Sequence, residues 1–475
     1  MMPRRSHVIG WLLGAAACVA ACACSSSRSV STLPSLPGQR SELSHDRADP
    51  IVGATLEENT AAEAKAPGRC APLEVRWPEL AAEDLAVPVP GIVDDADRGL
   101  EGLYRKLALL MRGRLDDHVR IGFYGDSNMT MDLLSGSMRR TLQEAFGDAG
   151  HGYVSVGIPW RHYRHRDVVH GLDKTAWLEW AISTRKVQDG CYGVGGIASE
   201  SVQRGAKAWV RTAPEGSPIG TSASRVEIHY LRRPGWGSFG VAVDGRRVAQ
   251  VDTDAAEYGA GVHRLELEDG PHAVELMTLD RRKVRLFGVA LERSQPGIVV
   301  DSLGIGGVSA HALSLAHPVV TRGSLANRRY DLVLFLLGTN TVNVSTQHEA
   351  MAAVIRAHRD ALPGVSLLLM SPPDHVLSFD DPRTDPMTIR VGQQMRGIAS
   401  RHGAAFWDFW SAMGGEGSML EFQRRHWNQW DLYHLNERGA SYMATRLLHA
   451  LWGGFAAWAK AHPDAGCDLE PGARP

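Results

Sequence analysis

Val119-Arg120-Ile121-Gly122-Phe123-Tyr124-Gly125-Asp126-Ser127-Asn128 is the stretch on which the fold turns. Its first six residues read as a buried strand. Leu133, Leu134, Met138, Leu142 and Phe146 then fall at helical spacing. A strand that turns sharply into a helix opens a parallel α/β unit. Most serines at such a turn only cap the helix. This one also sits at the carboxyl edge of a sheet, beside backbone N–H groups that the helix start leaves unpaired. Asp126 reads as structural, bonding the backbone of the turn.

Working outward, the α/β pattern resumes only after Gly297. Residues 298–302, 331–337, 365–370 and 404–408 read as further strands, with helical patterns over 97–113, 348–362, 386–402 and 436–452. Near-continuous apolar strands alternating with helices predict a parallel sheet covered on both faces. The expectation is a five-stranded, flavodoxin-like three-layer sandwich. Between its first strand and the rest, short alternating runs such as Val226, Ile228 and Tyr230 are separated by Asp244-Gly245 and Asp269-Gly270. These predict an inserted β-sandwich or jelly roll. The expected division is a signal segment over 1–21, a tether over 22–95, a first α/β segment over 96–155, an inserted module over 156–296, a second α/β segment over 297–465 and a tail over 466–475.

Four short signals lie beyond strands or near the chain end: Gly125-Asp126-Ser127, Gly304 in a Gly-rich turn, Gly338-Thr339-Asn340, and Asp431-Leu432-Tyr433-His434. Singly, Gly304 is a turn glycine and Asn340 a helix cap. Together and in this order they resemble the GDSL/SGNH hydrolase family, whose blocks supply Ser, Gly, Asn and an Asp-x-x-His pair. The resemblance implies Ser127 as nucleophile, His434 as general base, Asp431 as its orienting carboxylate, and Gly304 and Asn340 as oxyanion donors. Such a set suits acyl transfer: a hydroxyl needs a base to become nucleophilic, and imidazole serves near neutral pH. No cofactor and no metal is called for. Two departures stand out. Thr341 follows Asn340 where the family commonly has Asp, and the second block is far from the first because of the insertion.

A hydrolase of this kind with a β module between its first two blocks resembles the bacterial peptidoglycan O-acetylesterases, whose insert looks like a carbohydrate-binding module. This implies removal of O-acetyl groups from an extracellular or cell-wall glycan. An O-acetyltransferase and a glycan-binding lipoprotein with an inactive hydrolase domain are the alternatives. Trp160-Arg161-His162-Tyr163-Arg164-His165-Arg166 reads as a packed connector, or else as an aromatic–basic surface for an anionic glycan; its arginines oppose a metal ion. His311 and His317 read as non-catalytic.

The 475-residue chain balances 51 basic against 53 acidic residues, which argues against a nucleic-acid partner. Arg4 and Arg5 precede a short apolar run that ends at Val19-Ala20-Ala21-Cys22. This resembles a bacterial lipobox, implying an exported lipoprotein lipidated at Cys22, tethered to a membrane and facing the periplasm or cell surface. Ala23 in place of Asp after that cysteine favours the outer membrane. Export permits disulfides. Cys70 and Cys467 flank the folded region, with Cys191 as a competing partner. Oligomeric state is not readable from these patterns.

Overall fold

The computed structural model describes residues 71–75, 86–95 and 99–467. The signal segment, Cys22, Cys70 and most of the tether lie outside the described residues. Helix α1 (Glu101–Met111) leads into β1 (Val119–Gly125), a single turn of 3-10 helix (Ser127–Met129) and α2 (Leu133–Phe146). The chain then forms eleven strands before returning to α/β structure. They are β2 (Gly152–Val154), β3 (Val168–Leu172), β4 (Leu178–Ala181), β5 (Ile197–Ser201), β6 (Lys207–Thr212) and β7 (Ala223–Arg232), then β8 (Ser238–Val243), β9 (Arg246–Asp252), β10 (Gly259–Gly270), β11 (Ala273–Thr278) and β12 (Val284–Glu292). After them come β13 (Ile298–Gly304), α3 (Ala310–Ser314), α4 (Pro318–Arg328), β14 (Leu332–Leu336), α5 (Val344–Ala361), β15 (Ser366–Met370) and α6 (Pro386–Arg401). The chain closes with β16 (Ala405–Trp407), α7 (Phe409–Met413), α8 (Ser418–Arg424) and α9 (Glu437–Ala461).

The parallel sheet runs β13-β1-β14-β15-β16, the strand order of a flavodoxin-like fold. Its strands are largely apolar because both faces are covered: β14, Leu-Val-Leu-Phe-Leu, is buried at all five positions. Ile121, Phe123, Leu334 and Leu368 face a core shared with α1, α2 and α9. Tyr124, Val333, Phe335 and Leu369 face the opposite core, shared with α4, α5 and α6.

The inserted strands form two sheets, β10-β7-β12-β5-β4 with β2 alongside β12, and β3-β6-β11-β8-β9. Val210, Phe239 and Leu276 of one sheet and Ile228, Leu286 and Val289 of the other share a core, so the insert is a β-sandwich. It is fused to the α/β layers. Phe287 and Ala290 of β12, with Tyr153 and Leu231, enter the same core as Leu303 and Val333, which leaves β12 buried at all nine positions.

Charges reinforce this junction. Arg328, fully buried, meets Glu227 at 3.1 Å, Glu292 at 2.9 Å and Asp301 at 2.9 Å. Arg120 reaches Glu292 at 2.7 Å, and the Tyr330 hydroxyl donates to Asp301 at 2.7 Å. The two glutamates belong to the sandwich and the arginines to the α/β layers. Cys467 is disulfide-bonded, whereas Cys191 is a free, buried thiol and does not compete for it.

Candidate active site

The register of the parallel sheet brings the separated motifs level. Gly125 at the end of β1 pairs with Gly304 on one side and with Leu336 on the other. The turns that follow these three strands therefore open at one height on the carboxyl edge. The first holds Ser127, the second the Gly-rich loop and the third Gly338-Thr339-Asn340.

Asp126 starts the first turn. Its Oδ1 accepts from the Asn128 N–H at 3.1 Å, the structural role expected for it. Burial raises its carboxyl above the ordinary range despite that bond. Ser127 then begins the short helix with its side chain half-buried.

Across from it, residues 428–435 form a tight hairpin, with Asn428 bridged to Leu435 and the Gln429 N–H donating to the His434 carbonyl at 2.8 Å. Asp431 organises the tip. Its Oδ1 accepts from the N–H groups of Tyr433 (3.0 Å) and His434 (2.8 Å), and its Oδ2 from His434 Nδ1 (2.6 Å). Partial burial pushes the Asp431 carboxyl up, but the bonds from His434 and Tyr433 outweigh it and hold it below its usual range. With Nδ1–H committed to the carboxylate, Nε2 is the free lone pair. It accepts from Ser127 Oγ at 2.7 Å. Ser127, His434 and Asp431, more than 300 residues apart at the extremes, thus form one continuous relay.

Asn128 holds the two loops together. Its Oδ1 accepts from the Leu435 N–H at 3.0 Å and its Nδ2 donates to the Tyr433 carbonyl at 3.4 Å. The residues on either side of His434 are therefore tied to the residue after Ser127. Nothing in the sequence marks this asparagine except its place beside the serine.

On the oxyanion side, Gly304 ends the edge strand β13. The Ile305 N–H donates to the Gly125 carbonyl at 3.0 Å. In a parallel ladder that alternation turns the Gly304 N–H outward, away from β1. Gly304 also serves by its missing side chain: a Cβ there would lie 2.5 Å from the Met129 carbonyl carbon, in the same turn as Ser127. The N–H groups of Gly306 and Gly307 make no hydrogen bond to another described residue. The sandwich braces this loop, because Ser183 Oγ donates to the Gly306 carbonyl at 2.7 Å and Trp160 lies against Gly306. Asn340 faces the same loop, with Nδ2 donating one hydrogen to the Val308 carbonyl at 3.2 Å and keeping a second for the site. Thr341, in the place of the family's Asp, donates to Gln347 Oε1 at 3.3 Å and so replaces that residue's local bond with one to α5.

The connector 160–166 packs as expected over some of its length. Tyr163 and His165 are buried, while the Arg164 N–H donates to the Thr130 carbonyl and the Arg166 N–H to Asp132. Asp132, His151 and His165 bring one potential ligand atom each within 4.8 Å of one another. The Asp132 carboxylate already accepts from Arg139 (2.9 Å), Ser135 (2.6 Å) and Arg166 (3.0 Å), and the buried guanidinium opposes a cation there.

Residues 257–441 match the model of the GDSL-like Lipase/Acylhydrolase family. Over these residues the chain is similar to that family. The matched span carries Asn340, Asp431 and His434 but not Ser127, whose strand the fold of this GDSL-like domain inserts between β13 and β14. Among solved structures the chain is similar to one described as "Peptidoglycan O-acetylesterase in action, 5 min", at 22% identity and a TM-score of 0.64, covering 78% of this chain and 99% of that one. A family two carbohydrate esterase from Cellvibrio japonicus is matched at 11% identity and a TM-score of 0.23, over 59% of this chain and 98% of that one. The first of these shares the fold, sandwich included. No curated protein sequence matches this chain.

Proposed function

We propose that this chain removes O-acetyl groups from an extracellular or cell-wall glycan, peptidoglycan before others, through a serine acyl-enzyme. The observation that carries the chemistry is the relay from Ser127 Oγ through His434 to Asp431, with contacts of 2.7 and 2.6 Å. Ser127 Oγ attacks the acetyl carbonyl while His434 Nε2 takes its proton. Asp431 stabilises the imidazolium that forms. The oxyanion is met by the N–H groups of Ser127 and Gly304 and by the Asn340 amide. Losing one such donor typically costs about 10²–10³ in turnover. The imidazolium returns its proton to the departing sugar oxygen, and water, activated by the same nitrogen, releases acetate.

The polymeric substrate is favoured by exposure. The His434 and Asp431 side chains are 32% and 44% exposed, an open site that admits an ester carried on a bulky chain. The peptidoglycan assignment takes its substrate from the enzyme named in the structural match. The N-terminal lipobox at Cys22 fits a protein exported and anchored at the outer membrane, on the side where such glycans lie; among the described residues no helix is long and apolar enough to cross a membrane.

Hydrolysis of p-nitrophenyl acetate by wild type and Ser127→Ala tests the chemistry. The variant is expected to lose at least about 10³-fold in kcat/KM; equal activity would overturn the assignment. Acetate release from O-acetylated peptidoglycan, compared with acetylated xylan, tests the substrate.

A further inference from the structure

Five of the eleven large apolar side chains exposed among the described residues lie on loops after the strands of the parallel sheet or on the hairpin of the relay. Val342, Leu377, Phe379, Trp430 and Tyr433, exposed by 96, 62, 60, 62 and 39%, lie on three loops that surround the relay. Val342 follows Asn340 in the turn after β14. Leu377 and Phe379 lie on the loop after β15, a hairpin closed by the Val376–Thr384 bridge. Trp430 and Tyr433 flank Asp431 on the catalytic hairpin.

These rings are held rather than loose. One face of Tyr433 stacks on His375, with centroids 4.3 Å apart and planes at 22°. His375 is itself fixed at both nitrogens: Nε2–H donates to Asp385 at 2.9 Å, and Nδ1 accepts from the Thr388 hydroxyl at 3.1 Å. The Tyr433 carbonyl is tied to Asn128, next to the nucleophile. Trp430 stands on backbone with φ of 66° and Leu432 on φ of 59°, a conformation that costs bulky residues energy and persists only where the surroundings impose it. A protein that keeps a strained turn and leaves a tryptophan in water gains nothing in stability from it.

We propose that Tyr433, backed by His375, together with Trp430 and Phe379 forms a saccharide-binding platform that seats the sugar ring carrying the ester. The proposal rests on the esterase reading above. The alcohol portion of any ester attacked by Ser127 must leave across this rim. A flat ring with one free face matches the apolar C–H face of a pyranose. Ser378 and Asp380, on either side of Phe379, offer a hydroxyl and an acceptor to the sugar's edge, as an acyl chain would not need. The platform thereby sets a preference for the glycan over small esters, chiefly through KM.

Two kinds of measurement test this. The first uses the full chain carrying Ser127→Ala, titrated with an O-acetylated chito-oligosaccharide by calorimetry. Binding is expected, and adding Trp430→Ala or Tyr433→Ala should weaken it at least tenfold, with Tyr433→Phe restoring it to within threefold. The second compares kcat/KM for the same oligosaccharide with kcat/KM for p-nitrophenyl acetate in enzymes with Ser127 intact. The ratio should fall at least tenfold in Trp430→Ala and Phe379→Ala, with the change in KM. An unchanged ratio and unchanged binding overturn the platform. So does a selective loss of p-nitrophenyl octanoate hydrolysis, which would mark the rim as an acyl-chain site. Failure of the esterase reading looks different: wild type then cleaves neither ester, whereas the Ser127→Ala titration still reports on sugar binding.

Discussion

Asn128→Ala separates a positioning residue from a merely structural one. Asn128 is 7% exposed, and its Oδ1 is the acceptor for the buried Leu435 N–H at 3.0 Å. Truncation strands that donor, which costs about 1–3 kcal/mol. The longer bond to the Tyr433 carbonyl, at 3.4 Å, adds little. The kinetic effect should exceed what these energies suggest, because both bonds anchor the residues either side of His434. Freed of them, the hairpin keeps its internal Asp431 bonds but loses its register against Ser127, now set by an Nε2···Oγ contact of 2.7 Å. A misplacement of about 1 Å at reacting atoms can cost on the order of 10²-fold. The expected outcome for p-nitrophenyl acetate is therefore kcat lowered about 10- to 100-fold, KM within about threefold, and an unchanged shape of the pH–rate profile, since the relay's chemistry is intact. Urea unfolding measured on the same preparation supplies the stability change. A variant that loses the expected stability yet keeps kcat within twofold of wild type would refute the reasoning: Asn128 would then hold up the fold without aligning the base.

Gly304→Ala should lower both stability, by about 1–3 kcal/mol, and esterase activity, because the new Cβ would meet Met129 backbone at 2.5 Å; Gly306→Ala, whose Cβ finds nothing nearer than Trp160 at 3.7 Å, should fold like wild type, and equal thermal midpoints for the two variants would contradict this. Arg328→Ala leaves Glu227, Glu292 and Asp301 without their shared cation and should cost about 3–5 kcal/mol in urea unfolding; a loss under about 1 kcal/mol would show that Arg120 alone suffices. Stability should also fall with acidity in two stages. Burial pushes His165 down to about 3, His170 and His358 down to about 4, and His151 well below its usual value. Below about pH 6.5 the unfolded chain takes up protons that these folded rings refuse, so stability drops by up to about 1.4 kcal/mol per pH unit for each ring. The Asp117 carboxyl, which burial raises but its bonds to Arg120 lower to about 2 overall, gives up its contribution only below about pH 4, as pH falls from the unfolded value through the folded one. A thermal midpoint unchanged from about pH 7.5 to about pH 5 would contradict the histidine stage.

Much of the catalytic domain is legible in order along the chain. The strand of β1, the apolar runs of β13 to β16 and the spacing of α5, α6 and α9 declare themselves because both faces of a parallel sheet are buried and long helices keep one apolar side. Ser127, Asn340, Asp431 and His434 can be picked out because each stands at a fixed place just beyond a strand or before a helix. Strands β3 to β6 are not legible individually. They are short and carry charged residues such as Glu200, whose burial is compensated by Arg285 at 2.6 Å and Lys283 at 2.8 Å. Helix α4 likewise hides its period, since Ser324 and Arg328 sit on its buried side with Val320 and Leu325.

The sequence by itself determined the fold class, the relay's residue types and the presence of an insert, since these follow from local periodicity and from side-chain chemistry at strand ends. Only the tertiary structure decided that the Gly304 N–H points away from β1. That depends on which carbonyl the next residue bonds across the ladder. It also decided that the insert is fused to the hydrolase: β12 is buried on both faces, and Ser183 braces the Gly306 carbonyl. And it made a clamp of Asn128, whose partners lie more than 300 residues away. Such roles are contacts between distant segments, and no local pattern encodes them.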